Sequence, residues 1–138
     1  HAVMFGGVDL SSELGAQMGS DTMRTARARI VQAARAGGVA ALDVPELDFR
    51  NADMVAAAAT NAAENGFTGK AAIHPSNLSA INAAFTPSVE EIARAKEIIA
   101  AFEAAPNGLV VIDGKLIEAP VVKGMRLRLA IAEAAGVL

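Results

Sequence analysis

Short apolar runs alternate with longer amphipathic segments over the first part of the chain. Apolar runs at Ala2–Phe5, Val39–Val44 and Lys70–Ile73 predict three buried strands. The intervening segments predict helices, which begin at Ser20 or Asp21, at Asn51 and at about Ser76. The expected ends of these helices are about Ala36, Glu64 and Ala84.

The last third of the chain has a different pattern. Thr86-Pro87 predicts the start of a helix that ends near Ala104, because threonine caps helices and proline is tolerated in the first turn. Apolar runs on either side of Asp113-Gly114 then predict a β-hairpin, since Asp-Gly favours a type I′ turn. Pro120 opens a final helix, which Gly136 ends.

Alternation of strands and helices predicts a parallel sheet with right-handed crossovers. Three such units fit a small doubly wound sheet or part of a (β/α)8 TIM barrel, which needs about 250 residues. We assign residues 1–108 to the β/α units and residues 109–138 to a C-terminal hairpin and helix. The chain begins with His1 directly before a strand, and we therefore expect further sequence upstream.

Composition narrows the class of protein. Hydrophobic residues make up 53% of the chain, which predicts a folded core. A net charge of −3 without a basic run argues against a nucleic-acid partner, and no apolar stretch is long enough for a membrane span. The absence of cysteine excludes disulfides and thiolate metal sites, and it fits a cytoplasmic location.

Ligands of parallel α/β folds bind at the carboxyl ends of the strands. The first strand leads there to Gly6-Gly7-Val8-Asp9, the second to Asp43 and Glu46, and the third to His74. Asp9 suits Mg²⁺, which takes oxygen ligands, but it could equally cap a helix or be a solvated loop residue. Asp43 could serve a ligand, but we favour a structural role in which it binds neighbouring loop amides. His74 is expected either to hold its loop or to pack against a ligand. Lys70, at the start of its strand, is expected on the opposite rim and is not a candidate.

Five sequence blocks, in order, resemble one family. They are Phe5-Gly6-Gly7-Val8-Asp9-Leu10, Ala41-Leu42-Asp43 with Asp48-Phe49-Arg50, Gly66 to Pro75, Phe85-Thr86-Pro87-Ser88, and Asp113 to Pro120. Together they look like the C-terminal half of the citrate lyase β-subunit-like family, within the HpcH/HpaI aldolase superfamily. The resemblance covers essentially the whole chain, and the order of five blocks makes it specific.

The resemblance implies a TIM barrel, usually trimeric, that binds Mg²⁺ and a CoA thioester and acts on a carbon–carbon bond beside the thioester. It implies that Asp9 binds the metal and that Gly7, Val8, Ile73 and His74 contact the substrate. It also implies that Glu118 performs acid–base chemistry in the active site of a neighbouring subunit. The hairpin and last helix would then form a lid. Without the resemblance, Glu118 would be assigned an electrostatic role at the N-terminus of the last helix.

The chain departs from the family pattern at two positions. Glu118 occupies a position where many members carry aspartate, which resembles the citramalyl-CoA lyase-like members and favours citramalyl-CoA over malyl- or citryl-CoA. Val8 replaces an acidic or polar residue. The family's second metal-binding carboxylate and its substrate-binding arginine would precede His1, and the missing N-terminal half of the barrel would supply them.

Three alternatives remain open on the sequence. The same fold and metal could serve a malyl-CoA thioesterase, which would release free malate instead of a 2-oxo acid. A second alternative is a non-catalytic homologue that binds CoA esters. The third is a self-contained domain with a three-stranded sheet. We disfavour it, because such a domain would leave apolar sheet edges uncovered.

Overall fold

A computed structural model describes the whole chain, from His1 to Leu138. The chain divides into two compact units, His1–Phe85 and Thr86–Leu138. In the first unit the elements are β1 (Ala2–Met4), α1 (Gly7–Glu13), α2 (Asp21–Ala36), β2 (Ala40–Asp43), α3 (Ala52–Glu64), β3 (Gly69–Lys70), a 3₁₀ turn (Pro75–Asn77) and α4 (Leu78–Phe85). In the second they are α5 (Val89–Ala104), β4 (Val110–Ile112), β5 (Lys115–Ile117) and α6 (Ala119–Ala134).

The strands of the first unit form a parallel sheet in the order β1-β2-β3, which confirms the predicted α/β pattern. Val3 and Phe5 pack with Met23 and Ala34 of α2 in the main core. Met4, which points to the other face of β1, is 57% exposed. The sheet is therefore covered by helices on one face only at this strand.

Three helix starts follow from side-chain caps. Ser20 and Asn51 accept hydrogen bonds from the backbone of α2 and α3, as predicted. The predicted cap at Thr86 is wrong, because α5 begins after Ser88. Ser88 and Glu91 form a reciprocal capping box, whereas a cap at Thr86 would place apolar Val89 at the third helical position.

Two predictions in the first unit also need correction. The helix α1 was not predicted, because it is only seven residues long and Gly6 caps it without a side chain. The third strand was predicted at Lys70–Ile73, but pairing with β2 ends at Lys70, which lies opposite Asp43. Lys70 thus lies at the carboxyl end of the sheet, and its predicted place on the opposite rim is wrong.

The second unit contains the predicted hairpin. β4 and β5 pair antiparallel, and Asp113 and Gly114 between them both have positive φ, at 49° and 71°. This matches the type I′ geometry expected for Asp-Gly. The inner face of the hairpin packs with Ile98 of α5 and Val122 of α6. In this unit α5 groups with the hairpin, whereas the predicted domain boundary at residue 108 lies between them. That domain assignment stays a prediction.

None of the helices combines the length and the apolar character that a bilayer crossing requires.

Candidate active site

Asp9 lies just beyond the carboxyl end of β1, in the first turn of α1. Its side chain is exposed and takes part in no hydrogen bond or ion pair. A methyl group added at Gly6 would lie 3.6 Å from Asp9 Oδ2, so the carboxylate folds back over the turn that precedes the helix. The alternative role of Asp9 as a helix cap is not observed, because the cap position is Gly6.

Gly7 and Val8 occupy the same turn as Asp9. Gly7 is buried, and a Cβ there would approach the Phe5 ring to 2.9 Å and the Met18 methyl to 3.0 Å. The absence of a side chain at Gly7 therefore lets the start of α1 pack closely on Phe5, which follows β1, and on Met18. Val8 is 44% exposed, so it is free to contact a ligand.

The chain does not contain a complete metal site. No group of three histidine, aspartate or glutamate side chains is arranged to hold an ion. Asp9 has the oxygen-ligand chemistry that Mg²⁺ prefers, and its carboxylate has no competing partner. The residues present therefore fit one ligand of a magnesium site whose other ligands come from elsewhere.

Asp43, at the carboxyl end of β2, is in a contrasting environment. It is 1% exposed and accepts two hydrogen bonds from Arg27, at 2.9 Å from Nε and 2.8 Å from Nη2. Lys70 Nζ donates to Asp43 Oδ2 at 3.1 Å and to the carbonyl oxygen of Val44 at 2.7 Å. The structural role predicted for Asp43 is confirmed, but its partners are these two side chains and not loop amides.

Further contacts hold Arg27 in this network. Its Nη1 donates to Asn61 Oδ1 at 2.8 Å, and its guanidinium lies 5.0 Å from the centroid of the Phe67 ring. A cavity of about 440 Å³ opens beside the network, and Met18, Glu46 and Lys70 are among its lining residues. None of the predicted ligand-contacting residues lines this cavity. Since the charged groups are already paired, the network stabilises the sheet rather than offering a free ligand site.

His74 precedes the 3₁₀ turn, and its ring caps that turn. Its Nδ1 accepts a hydrogen bond from the Ser76 backbone N–H at 3.2 Å and lies 2.9 Å from Ser76 Oγ. The ring also stacks on Phe49, with the centroids 5.9 Å apart and the planes at 26°. Asn77, which is 5% exposed, donates to the Phe49 carbonyl oxygen at 2.8 Å. His74 thus holds its loop, as one of its predicted roles requires, and its Nε2 stays without a protein partner.

Ile73, the residue before His74, is 48% exposed in the segment that follows β3. Both residues lie beyond the carboxyl end of β3, while Gly7, Val8 and Asp9 lie beyond that of β1. β1 and β3 lie on either side of β2 in one parallel sheet. Both groups therefore lie at the same end of the sheet, where the strands have their carboxyl ends. Phe49, Ser76 and Asn77 were not predicted as site residues, although Phe49 belongs to one of the matched sequence blocks.

Glu118 belongs to the second unit, where it follows β5 and occupies the cap position of α6. Its carboxylate is exposed and makes no cap hydrogen bond, while its backbone carbonyl accepts from Val121 and Val122. The side chain therefore does not cap α6 through a hydrogen bond, although its charge lies at the helix N-terminus, where it is favourable. The carboxylate is free for other contacts.

Comparison with known proteins fits this arrangement. The model of the HpcH/HpaI aldolase/citrate lyase family matches residues 1–75, which include Asp9, Ile73 and His74. The chain belongs to this family. Within the family, the chain is 39% identical over 127 residues to the mitochondrial citramalyl-CoA lyase of Rattus norvegicus, covering 88% of this chain and 38% of that protein.

Two further relatives extend the match to almost the whole chain. The (3S)-malyl-CoA thioesterase of Cereibacter sphaeroides strain KD131 is 37% identical over 137 residues, covering 96% of this chain and 48% of that protein. The CitE protein of Mycobacterium tuberculosis, solved with magnesium, acetoacetate and coenzyme A, superposes with a TM-score of 0.82 at 31% identity. That superposition covers 94% of this chain and 51% of CitE. The chain thus spans about half or less of the length of these relatives.

Proposed function

We propose that the chain forms the C-terminal part of a magnesium-dependent carbon–carbon lyase. Its substrate would be a CoA thioester of a hydroxydicarboxylic acid, of the citramalyl, malyl or citryl type. The products would be acetyl-CoA and a 2-oxo acid. The main support for the proposal is the Asp9 carboxylate, which is exposed and unpaired and lies at the same end of the sheet as His74. The family to which the chain belongs includes CoA-ester lyases.

The proposed site extends beyond residues 1–138. Asp9 contributes one carboxylate ligand, and the part of the barrel that these residues do not cover would supply the second carboxylate and an arginine for the substrate. Bound Mg²⁺ would supply Lewis-acid stabilisation of negative charge on the 2-oxo acid product. The uncovered face of the sheet at Met4 supports this proposal, since the interior of a closed barrel would cover it.

The reaction breaks the bond between the hydroxyl-bearing carbon and the carbon next to the thioester. The hydroxyl gives its proton to a general base and becomes the carbonyl of the 2-oxo acid, and the bonding electrons pass to the thioester enolate. In the proposed scheme protonated Glu118 gives its proton to the enolate carbon, which yields acetyl-CoA. Glu118 then regains a proton from the solvent, which also receives the hydroxyl proton from the base, so the reaction neither consumes nor releases a proton. Such acid–base catalysis contributes about 10²–10⁴-fold to the rate.

We place Glu118 in the site of a neighbouring subunit, with the hairpin and α6 as a lid, so that activity requires a trimer or larger homo-oligomer. The freedom of the Glu118 carboxylate from any cap contact supports this role. Glutamate in place of aspartate at this position favours citramalyl-CoA as the substrate, and the similarity to citramalyl-CoA lyases points the same way. A cytoplasmic location stays a prediction.

The first experiment tests the metal ligand in the full-length protein, meaning a polypeptide that spans the whole barrel and contains these residues. Asp9→Asn should weaken Mg²⁺ binding, measured by calorimetry, and abolish cleavage of citramalyl-CoA. Asp53→Asn is the matched control, because Asp53 is also an exposed acid in the first turn of a helix. Unchanged Mg²⁺ affinity in Asp9→Asn would remove Asp9 from the metal site.

The second experiment tests proton transfer by Glu118. Glu118→Gln should lower the turnover of citramalyl-CoA by about 10²–10⁴-fold while the variant still binds acetyl-CoA. Glu103→Gln serves as the control, since Glu103 is an exposed carboxylate of the same unit. Normal turnover in Glu118→Gln would exclude the proton-transfer role.

A thioesterase is the second candidate function, because a malyl-CoA thioesterase is 37% identical over nearly the whole chain. Product analysis with malyl-CoA separates the two reactions. A lyase releases acetyl-CoA and a 2-oxo acid, whereas a thioesterase releases free malate and CoA.

A further inference from the structure

The two ring nitrogens of His74 differ in their surroundings. Nδ1 faces the Ser76 backbone N–H, whereas Nε2 has no partner in the protein. A backbone N–H is always a donor, so Nδ1 must be the nitrogen that carries the lone pair. In a neutral imidazole the proton then resides on Nε2. The turn therefore selects one tautomer of His74, with an exposed Nε2–H.

The plane of the ring is held by a second set of contacts. Phe49 stacks on the ring, and its own position is secured by the hydrogen bond from the buried Asn77 amide to its carbonyl oxygen. Asn77 also donates its backbone N–H to the carbonyl oxygen of His74 at 3.0 Å. Asn77 thereby ties the loop after β2 to the turn after β3, so one residue holds the backbone of both Phe49 and His74.

We infer that Phe49, Ser76 and Asn77 are positioning residues that present His74 as a neutral hydrogen-bond donor, with Nε2–H directed to an acceptor oxygen of the CoA thioester. This inference rests on the proposed function for the identity of the ligand. It gives a role to Phe49 of the Asp48-Phe49-Arg50 segment, which has no part in the proposed reaction.

The tautomer is tested without any substrate. In ¹⁵N-histidine-labelled full-length protein, His74 is assigned by the loss of its signals in His74→Leu. In the neutral ring, Nδ1 should resonate as an unprotonated nitrogen and Nε2 as a protonated one. Averaged shifts like those of free imidazole, or a protonated Nδ1, would overturn the inference.

Two substitutions at one residue isolate the backbone donor. Ser76→Pro removes both the N–H and the hydroxyl, whereas Ser76→Ala removes only the hydroxyl. We expect the shifts of His74 to move toward tautomer averaging in Ser76→Pro and to stay near those of the unsubstituted protein in Ser76→Ala. Equal shifts in both variants would show that the amide does not select the tautomer.

Binding of acetyl-CoA, measured by calorimetry, tests whether His74 Nε2–H donates a hydrogen bond to the CoA thioester. His74→Leu should weaken binding about tenfold, the loss expected for one hydrogen bond left unmade. Phe49→Leu should weaken it by a similar factor, and Phe49→Tyr should restore it because the stack is kept. In the His74→Leu background, Phe49→Leu should add little, since Phe49 acts through His74.

Two outcomes would contradict the donor role. Unchanged acetyl-CoA binding in His74→Leu would exclude it, and additive losses in the double variant would exclude Phe49 as a positioning residue. If the protein cleaves no acyl-CoA at all, the proposed function fails, but the tautomer and acetyl-CoA measurements still decide this inference separately.

Discussion

Asp43 is the last residue of β2 and Asp9 follows the neighbouring strand β1, yet their surroundings are opposite. Asp43 is buried and receives hydrogen bonds from Arg27 and Lys70, while Asp9 is exposed and has no partner. A buried carboxylate without partners would be very costly, and so Asp43 needs the hydrogen bonds and opposite charges of its network. An exposed carboxylate carries no such requirement. The difference separates an acid that the fold needs from an acid that is free for a ligand.

The largest effect is expected from breaking the buried network. Asp43→Ala leaves the charges of Arg27 and Lys70 without their partner and should lower the free energy of unfolding by about 3–5 kcal/mol. Urea denaturation measures the loss. The control is Asp21→Ala, which removes an exposed ion pair with Arg24 and should cost about 1 kcal/mol or less. Equal losses at the two positions would mean that burial does not determine how much an ion pair contributes to the free energy of unfolding.

A smaller effect is expected at the second cation of the network. Lys70→Met removes the donor to the Val44 carbonyl oxygen but leaves both Arg27 hydrogen bonds to Asp43. The expected cost is about 1–3 kcal/mol, the penalty for an unsatisfied buried acceptor. The same denaturation series measures it, with exposed Lys96→Met as the control. A loss as large as that of Asp43→Ala would show that Lys70, and not Arg27, is the main partner.

The smallest effect on folding is expected at Asp9. Asp9→Asn should change the free energy of unfolding by no more than about 0.5 kcal/mol, because the side chain has no contacts to lose. Thermal denaturation without added metal is the measurement. A loss above about 1 kcal/mol would show that Asp9 stabilises α1, and it would weaken the contrast with Asp43.

Local sequence signals predicted most of the elements. Ser20, Asn51 and Asp113-Gly114 each fix a cap or a turn within a few residues, and all three were confirmed. The helix α1 escaped prediction because it is short and its cap is a glycine. The start of α5 was misplaced because two capping residues lie close together, and only Ser88 has a glutamate at the required spacing.

The surroundings of the candidate residues were harder to predict than their places in the fold. Asp9 and His74 lie beyond the ends of strands, as expected, but Arg27 reaches Asp43 over 16 residues and Lys70 over 27. No local pattern encodes pairs that form only when the sheet assembles. The same reason explains the misplacement of Lys70, since the end of β3 is set by its pairing with β2.

The alternation of side chains along β2 has a consequence for how related sequences can vary in length. Ala41 and Asp43 are buried on the helix side of the sheet, and one residue added or removed within Ala40–Asp43 would exchange the two faces. The carboxylate would then leave Arg27 and Lys70, and Leu42 would take its place. The turn at Gly37-Gly38 lies outside this constraint. Insertions and deletions among homologues should therefore accumulate at that turn and be excluded from the four residues that follow Val39.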